Sequence, residues 1–174
     1  GDHRHPIQFS GDAQANWELL AFEVKLTAAS GNAGCYYWAH DIGGFRGDPN
    51  PELTVRWTQF GALSAALRVH STKDARLDRR PWLSGKRETA AMRRMYHMRS
   101  ELMPYIYSSV WQTHSTMVPL NRPMYIDYGH EKPAYENPQE FLFGDNLLAA
   151  PITSPGEGEE RIASQQVWFP AGDV

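Results

Sequence analysis

A chain of 174 residues with 41% hydrophobic and 21% charged residues has apolar material for one domain, or one and part of a second, and is too apolar for disorder. Its net charge of −3 leaves no electrostatic footprint for nucleic acid, and no run approaches the roughly 18 apolar residues of a membrane span. A single cysteine, Cys35, excludes an internal disulfide and a cysteine-based metal knuckle.

In chain order, the apolar peak "PIQF" within residues 1–12 predicts a short strand that runs out into a loop at Ser10-Gly11-Asp12. Residues 13–29 predict a helix from their Ala, Leu, Glu and Lys content, although Trp17, Leu20, Phe22, Val24 and Leu26 fit the helical period imperfectly. "SGNAG" ends it, and "CYYWAH" at 35–40 is an aromatic run of buried-strand type. "DIGGFRGDPNP" reads as a loop, Glu52–Leu63 as a second helix and Ala66–His70 as a third short strand. After a charged loop, Ser71–Pro81, residues 88–116 carry a long helical pattern with Met92, Met95, Met98, Leu102 and Ile106 on related faces. Pro104 should kink or split it, because proline lacks an N–H and crowds the preceding turn.

Residues 1–118 thus alternate strand and helix three times, an α/β pattern that implies parallel βαβ units. Such a run suits an open doubly wound sheet or part of a (β/α)8 TIM barrel, which takes about 250 residues when complete. From Pro119 the character changes. "PLNRPMYIDY", "EFLFGDNLLAAPIT" and "QQVWFPAG" read as short strands separated by turn residues, and "SPGEGEER" as a solvated turn. Residues 119–174 are therefore expected to open an all-β domain.

In parallel α/β folds, chemistry gathers just past the carboxyl ends of strands. Asp12, Asp41 and His70 close the three predicted strands at equal intervals, so all three should emerge on one rim. Singly each has an ordinary explanation, an N-cap for the aspartates and core packing for the histidine. The common register favours a pocket. No G-x-S-x-G or Walker loop is present. The pair His3 and His5 shares a strand face but has no third ligand nearby, so neither a metal nor another cofactor is expected.

The blocks "FSGD" at 9–12, "WAHDIGGF" at 38–45, "RWTQFGALSAALRVHS" at 56–71, "RRPW" at 79–82, "LMPYIY" at 102–107 and "NRPMYIDY" at 121–128 together resemble glycoside hydrolase family 31. The resemblance runs in order along almost the whole chain. It implies a TIM-barrel catalytic domain followed by β domains, of which this chain would hold the last three strand–helix units and the start of a C-terminal β-sandwich. It implies a retaining α-glycosidase, chiefly an α-glucosidase or α-xylosidase acting on α-linked oligosaccharides or glycosides. By the same resemblance Asp12 is the general acid/base, with Ala13 a departure from the usual Asn or Thr. Asp41 lines the subsite of the non-reducing sugar and His70 hydrogen-bonds its hydroxyls. Arg68 is placed to pair with Asp41 or Asp12, and Trp38 and Phe45 are candidate pocket walls.

A retaining glycosidase needs two carboxyl groups about 5–5.5 Å apart, a nucleophile and an acid/base whose pKa is raised. The resemblance assigns the nucleophile to an earlier barrel strand, so these residues alone are expected to be inactive. Open strand edges are expected to drive self-association. The alternatives are a non-catalytic carbohydrate-binding or structural fragment, an α-transglycosylase, and a piece of an unrelated open α/β protein. The sugar and the cell compartment are not legible; a soluble chain is expected.

Overall fold

The computed structural model describes residues 4–172. β1 (Ile7–Phe9) and β2 (Tyr37–Ala39) pair in parallel, Ile7 beside Tyr37 and Phe9 beside Ala39. Between them α1 (Trp17–Ser30) crosses over, which is the expected α/β unit. Asn16 caps α1 by accepting the Leu19 N–H at 2.7 Å, so residues 13–16 belong to the loop and not to the predicted helix. α2 (Pro51–Gly61) starts in the same way. Asn50 accepts the Leu53 N–H at 3.0 Å, and Pro51 occupies the first turn, where its missing N–H costs nothing.

The predicted third strand is not a regular ladder. Ala66–His70 runs beside β2 with two backbone bonds, Ala66 N–H to Trp38 O at 3.4 Å and Ile42 N–H to Arg68 O at 3.2 Å. The chain reaches this segment through a turn whose carbonyls are taken by side chains. The Arg99 guanidinium donates to Ala62 O and Ala65 O at 3.0 Å each and also to Ser64 O, and Asn121 Nδ2 donates to Leu63 O at 2.8 Å. Those lateral bonds satisfy the carbonyls of the turn itself.

The long helical pattern is two helices, α3 (Lys86–Glu101) and α4 (Met103–Thr116), divided at Leu102 just ahead of Pro104. Beyond them lies a small antiparallel sheet of β3 (Asn121–Pro123), β4 (Phe141–Phe143) and β5 (Leu147–Ala149), with a one-turn helix α5 (Pro133–Glu136) between β3 and β4. The stretch 165–172 forms no strand. One apolar core joins both parts: Leu20, Trp57 and Phe60 pack with Ile106, Leu120, Phe141 and Phe143. Phe60 meets Phe141 edge to face, with centroids 6.2 Å apart.

The predicted solvated turn at 154–161 is exposed but anchored. Glu52, buried at the start of α2, accepts the Gly156 N–H at 2.7 Å and Arg161 Nη1 at 2.8 Å, and Arg87 of α3 donates to Glu159 O at 3.1 Å. No helix among the described residues is long and apolar enough to cross a membrane.

Candidate functional site

Side chains alternate across a strand, and parallel partners in register share a face. Along β2 that alternation sets Tyr37, Ala39 and Asp41 on one face and Trp38 and His40 on the other. Asp41, just past the end of β2, is fully buried. Arg68 reaches it from the neighbouring segment, with Nε 2.8 Å from Oδ1, and lays its guanidinium over the Phe9 ring at 4.4 Å. The pairing expected of Arg68 therefore falls on Asp41. Asp41 Oδ2 has no hydrogen-bond partner among the described residues. Burial pushes the Asp41 carboxyl up from the usual range. Arg68 and His70 pull it back, and the charge of Asp12 adds to the rise.

His70 is exposed at the same rim and stacks on Phe45, centroids 5.3 Å apart and planes at 29°. Asp12 is exposed on the loop after β1 and close enough to Asp41 for their charges to interact. The rim thus brings Asp12, Asp41, Arg68, His70 and Phe45 together. Trp38 does not join them. It lies on the opposite face of β2, and its Nε1 is buried without a hydrogen-bond partner among the described residues, so a pocket-wall role does not follow from its placement.

The rim loops are knitted to one another. Phe45 N–H and Arg46 N–H both donate to Ala13 O, at 2.8 and 3.2 Å; Ala15 N–H donates to Arg46 O at 2.7 Å, and Thr72 N–H to Phe45 O at 2.9 Å. The turn that makes this possible is Gly43-Gly44, with φ of +86° and +82°. A Cβ on Gly44 would stand 2.5 Å from Ala15 Cα, so only glycine lets the two loops approach.

Two buried groups beside the rim were not singled out from sequence. His40 is fully enclosed and stacks on Phe60 at 4.3 Å. Trp57 Nε1–H donates to His40 Nδ1 at 2.9 Å, which leaves Nε2 protonated and donating to Ser64 Oγ at 2.9 Å. Burial lowers its pKa to about 3, so the ring stays neutral. Glu23 of α1 is buried, and its Oε2 has no hydrogen-bond partner among the described residues. Burial raises its carboxyl to about 7; the Ser10 hydroxyl opposes the rise and Asp41 adds to it. Neither carries a local signal in the sequence, since the groups that enclose them come from other elements.

Of the pair proposed from "HRH", His3 lies outside the described residues. Among the described residues, no group of three His, Cys, Asp or Glu side chains is placed to hold a metal ion. Cys35 is a free thiol.

Residues 1–109 match the glycosyl hydrolases family 31 TIM-barrel domain, and residues 117–174 match the glycosyl hydrolase family 31 C-terminal domain. A probable glucan 1,3-alpha-glucosidase of Oryza sativa subsp. japonica is 35% identical over 97% of this chain, which covers 18% of that protein. An alpha-xylosidase of Emericella nidulans is 32% identical over 99% of this chain, covering 23% of its own length. Among solved structures, the cycloalternan-forming enzyme from Listeria monocytogenes, in complex with a pentasaccharide substrate, superposes with a TM-score of 0.82 at 29% identity. It covers 87% of this chain and 15% of that one. A Flavobacterium johnsoniae dextranase mutant complexed with isomaltotriose gives 0.79 at 28% identity, over 86% of this chain and 20% of its own. The chain spans about a fifth of the length of these curated relatives. With both family domains matched in order over nearly its whole length, this chain belongs to glycoside hydrolase family 31.

Proposed function

We propose that the chain carries the acid/base side of the active site of a retaining α-glycoside hydrolase, one that removes terminal α-linked glucose or xylose. The observation that carries this reading is the Asp41–Arg68 pair: a buried carboxylate at a strand end, held by one guanidinium, whose second oxygen is buried without a partner among the described residues, an acceptor that a bound sugar hydroxyl would satisfy. Arg68 and His70 favour the ionised form against burial, which suits charge-assisted hydrogen bonds to a sugar. His70 on Phe45 supplies a second polar group on an aromatic wall. Asp12, on the exposed loop beside them, protonates the leaving glycosidic oxygen and then takes the proton of the attacking water. The relatives' names, an alpha-glucosidase and an alpha-xylosidase, support the sugar class.

In this reading the barrel would hold eight strands, of which β1, β2 and the 66–70 segment are three. The nucleophile comes from a strand outside these 174 residues, so the isolated chain binds sugar without turning it over. Among the described residues β1 pairs only with β2, and it presents Ile7 at 63% exposure, so a second copy would occupy that edge. Asp12→Asn in the full-length protein, assayed on aryl α-glucoside and α-xyloside, tests the assignment. Loss of turnover by about 10² or more, with Asp41→Asn instead weakening binding, is expected. An Asp12→Asn enzyme with undiminished turnover rules it out.

A further inference from the structure

The "RRPW" block holds a charged group that the reading above does not use. Arg79 is 8% exposed, although it sits in a loop. Its fork joins two elements: Nη1–H donates to Thr54 Oγ1 on α2 at 3.2 Å, and Nη2–H to Gly44 O at 3.0 Å. Its partners are a hydroxyl and a carbonyl, with no carboxylate among them, and Nε is buried without a hydrogen-bond partner among the described residues. Burial pushes the guanidinium down from its usual value. A buried charge without a counter-charge is costly and gains only through directed hydrogen bonds.

The contact surface says what those bonds hold. A Cβ on Gly43 would lie 2.9 Å from Arg79 Nε and 3.1 Å from Cδ and Cζ, so the end of the Arg79 side chain packs directly against Gly43. A Cβ on Gly44 would in turn stand 2.5 Å from Ala15 Cα, so the next residue of the turn abuts Ala15. The turn thus packs against both Arg79 and the loop that carries Asp12. Phe45 follows it directly, bonded to Ala13 on one side and to Thr72 on the other, and bears the His70 ring.

We propose that Arg79 is a positioning residue: by pinning Gly44 O to α2 it sets the Phe45–His70 wall of the sugar pocket. The role rests on reading the rim as that pocket, but its geometric part does not. Lysine keeps the charge and the aliphatic stem yet cannot reach both acceptors with one ammonium in the same geometry.

Three variants of this chain test it: Arg79→Lys, Arg79→Met and, as a control in the same loop, Arg76→Met, whose guanidinium is exposed and paired with Asp74. Two measurements are read. The first is the ring-proton shifts of His70 by NMR, which report its stacking on Phe45. The second is binding of methyl α-glucoside and methyl α-xyloside by calorimetry. Both Arg79 variants, with unchanged far-UV circular dichroism, are expected to move the His70 shifts toward those of an unstacked imidazole and to weaken glycoside binding by about tenfold. Arg76→Met should change neither. Should Arg79→Met fail to fold, Arg79→Lys decides. A folded Arg79→Lys with wild-type His70 shifts overturns the proposal, as does an Arg76→Met that moves them equally. If the wild-type chain binds neither glycoside, the sugar-pocket reading fails, while the His70 shifts still decide the role of Arg79.

Discussion

Arg68 serves Asp41 and Phe9 at once: Nε stands 2.8 Å from the carboxylate, and the guanidinium covers the ring at 4.4 Å. Removing it would leave a buried anion alone beside an exposed aromatic. Arg68→Met should therefore destabilise the chain by about 1–3 kcal/mol, less than a fully buried pair because Arg68 is partly solvated. It should also raise the Asp41 carboxyl further. Saccharide binding that needs Asp41 ionised would then be lost at a higher pH than in the wild type. Urea unfolding and calorimetry across pH 4–8 would check both effects, and an unshifted acid limb would refute the second.

His40 and Trp57 form the anchor behind the rim. Trp57→Phe keeps the aromatic volume but leaves Nδ1 unsatisfied inside the core, at a cost of about 1–3 kcal/mol. Because the imidazole pKa is lowered to about 3, the folded state holds fewer protons than the unfolded state between there and 6.5. Its contribution is full above pH 6.5 and fades as pH falls toward 3. Trp57→Phe frees Nδ1 for protonation, so His40 should begin to titrate at higher pH. An imidazole NMR titration would show it.

Glu23 works in the opposite sense. Its folded pKa, about 7, lies above the ordinary 4.5, so the folded state holds the extra proton. Stability is full below pH 4.5, falls as pH rises through 7, and is flat beyond. Glu23→Gln should abolish that decline and raise stability at pH 8 by on the order of 3 kcal/mol. Thermal melts of the two chains at pH 5 and pH 8 check it; equal gains at both pH values would exclude the titration as the cause.

Glu52 ties the 156–161 turn to α2 through Gly156 and Arg161. Glu52→Ala should cost roughly 1–2 kcal/mol, with Arg161 largely solvated, and should loosen the turn. Limited proteolysis would then cut near Glu159–Arg161 sooner than in the wild type, while the α1–β2 unit stays protected.

The rim was legible because strand ends are marked locally. Gly11-Asp12 and Asp41 each follow an apolar run, and the Arg68–His70 spacing sets both side chains on the Asp41 side of their segment. The block motifs placed the same residues by resemblance. What stayed hidden was set by distant partners. His40 is defined by Trp57 and Ser64, 17 and 24 residues away, and nothing in "WAHD" distinguishes a core histidine from a pocket one. The irregular 66–70 segment is entered through a turn held by Arg99 and Asn121, which come from later elements and leave no mark in the local sequence. Glu23 carries no local signal, because α1 has so weak a polar–apolar division. Trp38 falls on the other face of β2 from Asp41 because side chains alternate with a two-residue period along a strand.

The core that runs from Leu20 and Trp57 through Ile106 to Phe141 and Phe143 bears on how the molecule comes apart. α4 belongs by sequence to the first part, yet Tyr105 Oη donates to Phe143 O at 2.8 Å and accepts the Asn146 N–H at 3.1 Å. Residue 118 is thus a seam in the sequence with no matching seam in cooperativity. The α/β units and the small sheet should melt as one, and neither is a module that recombination could transplant without the other.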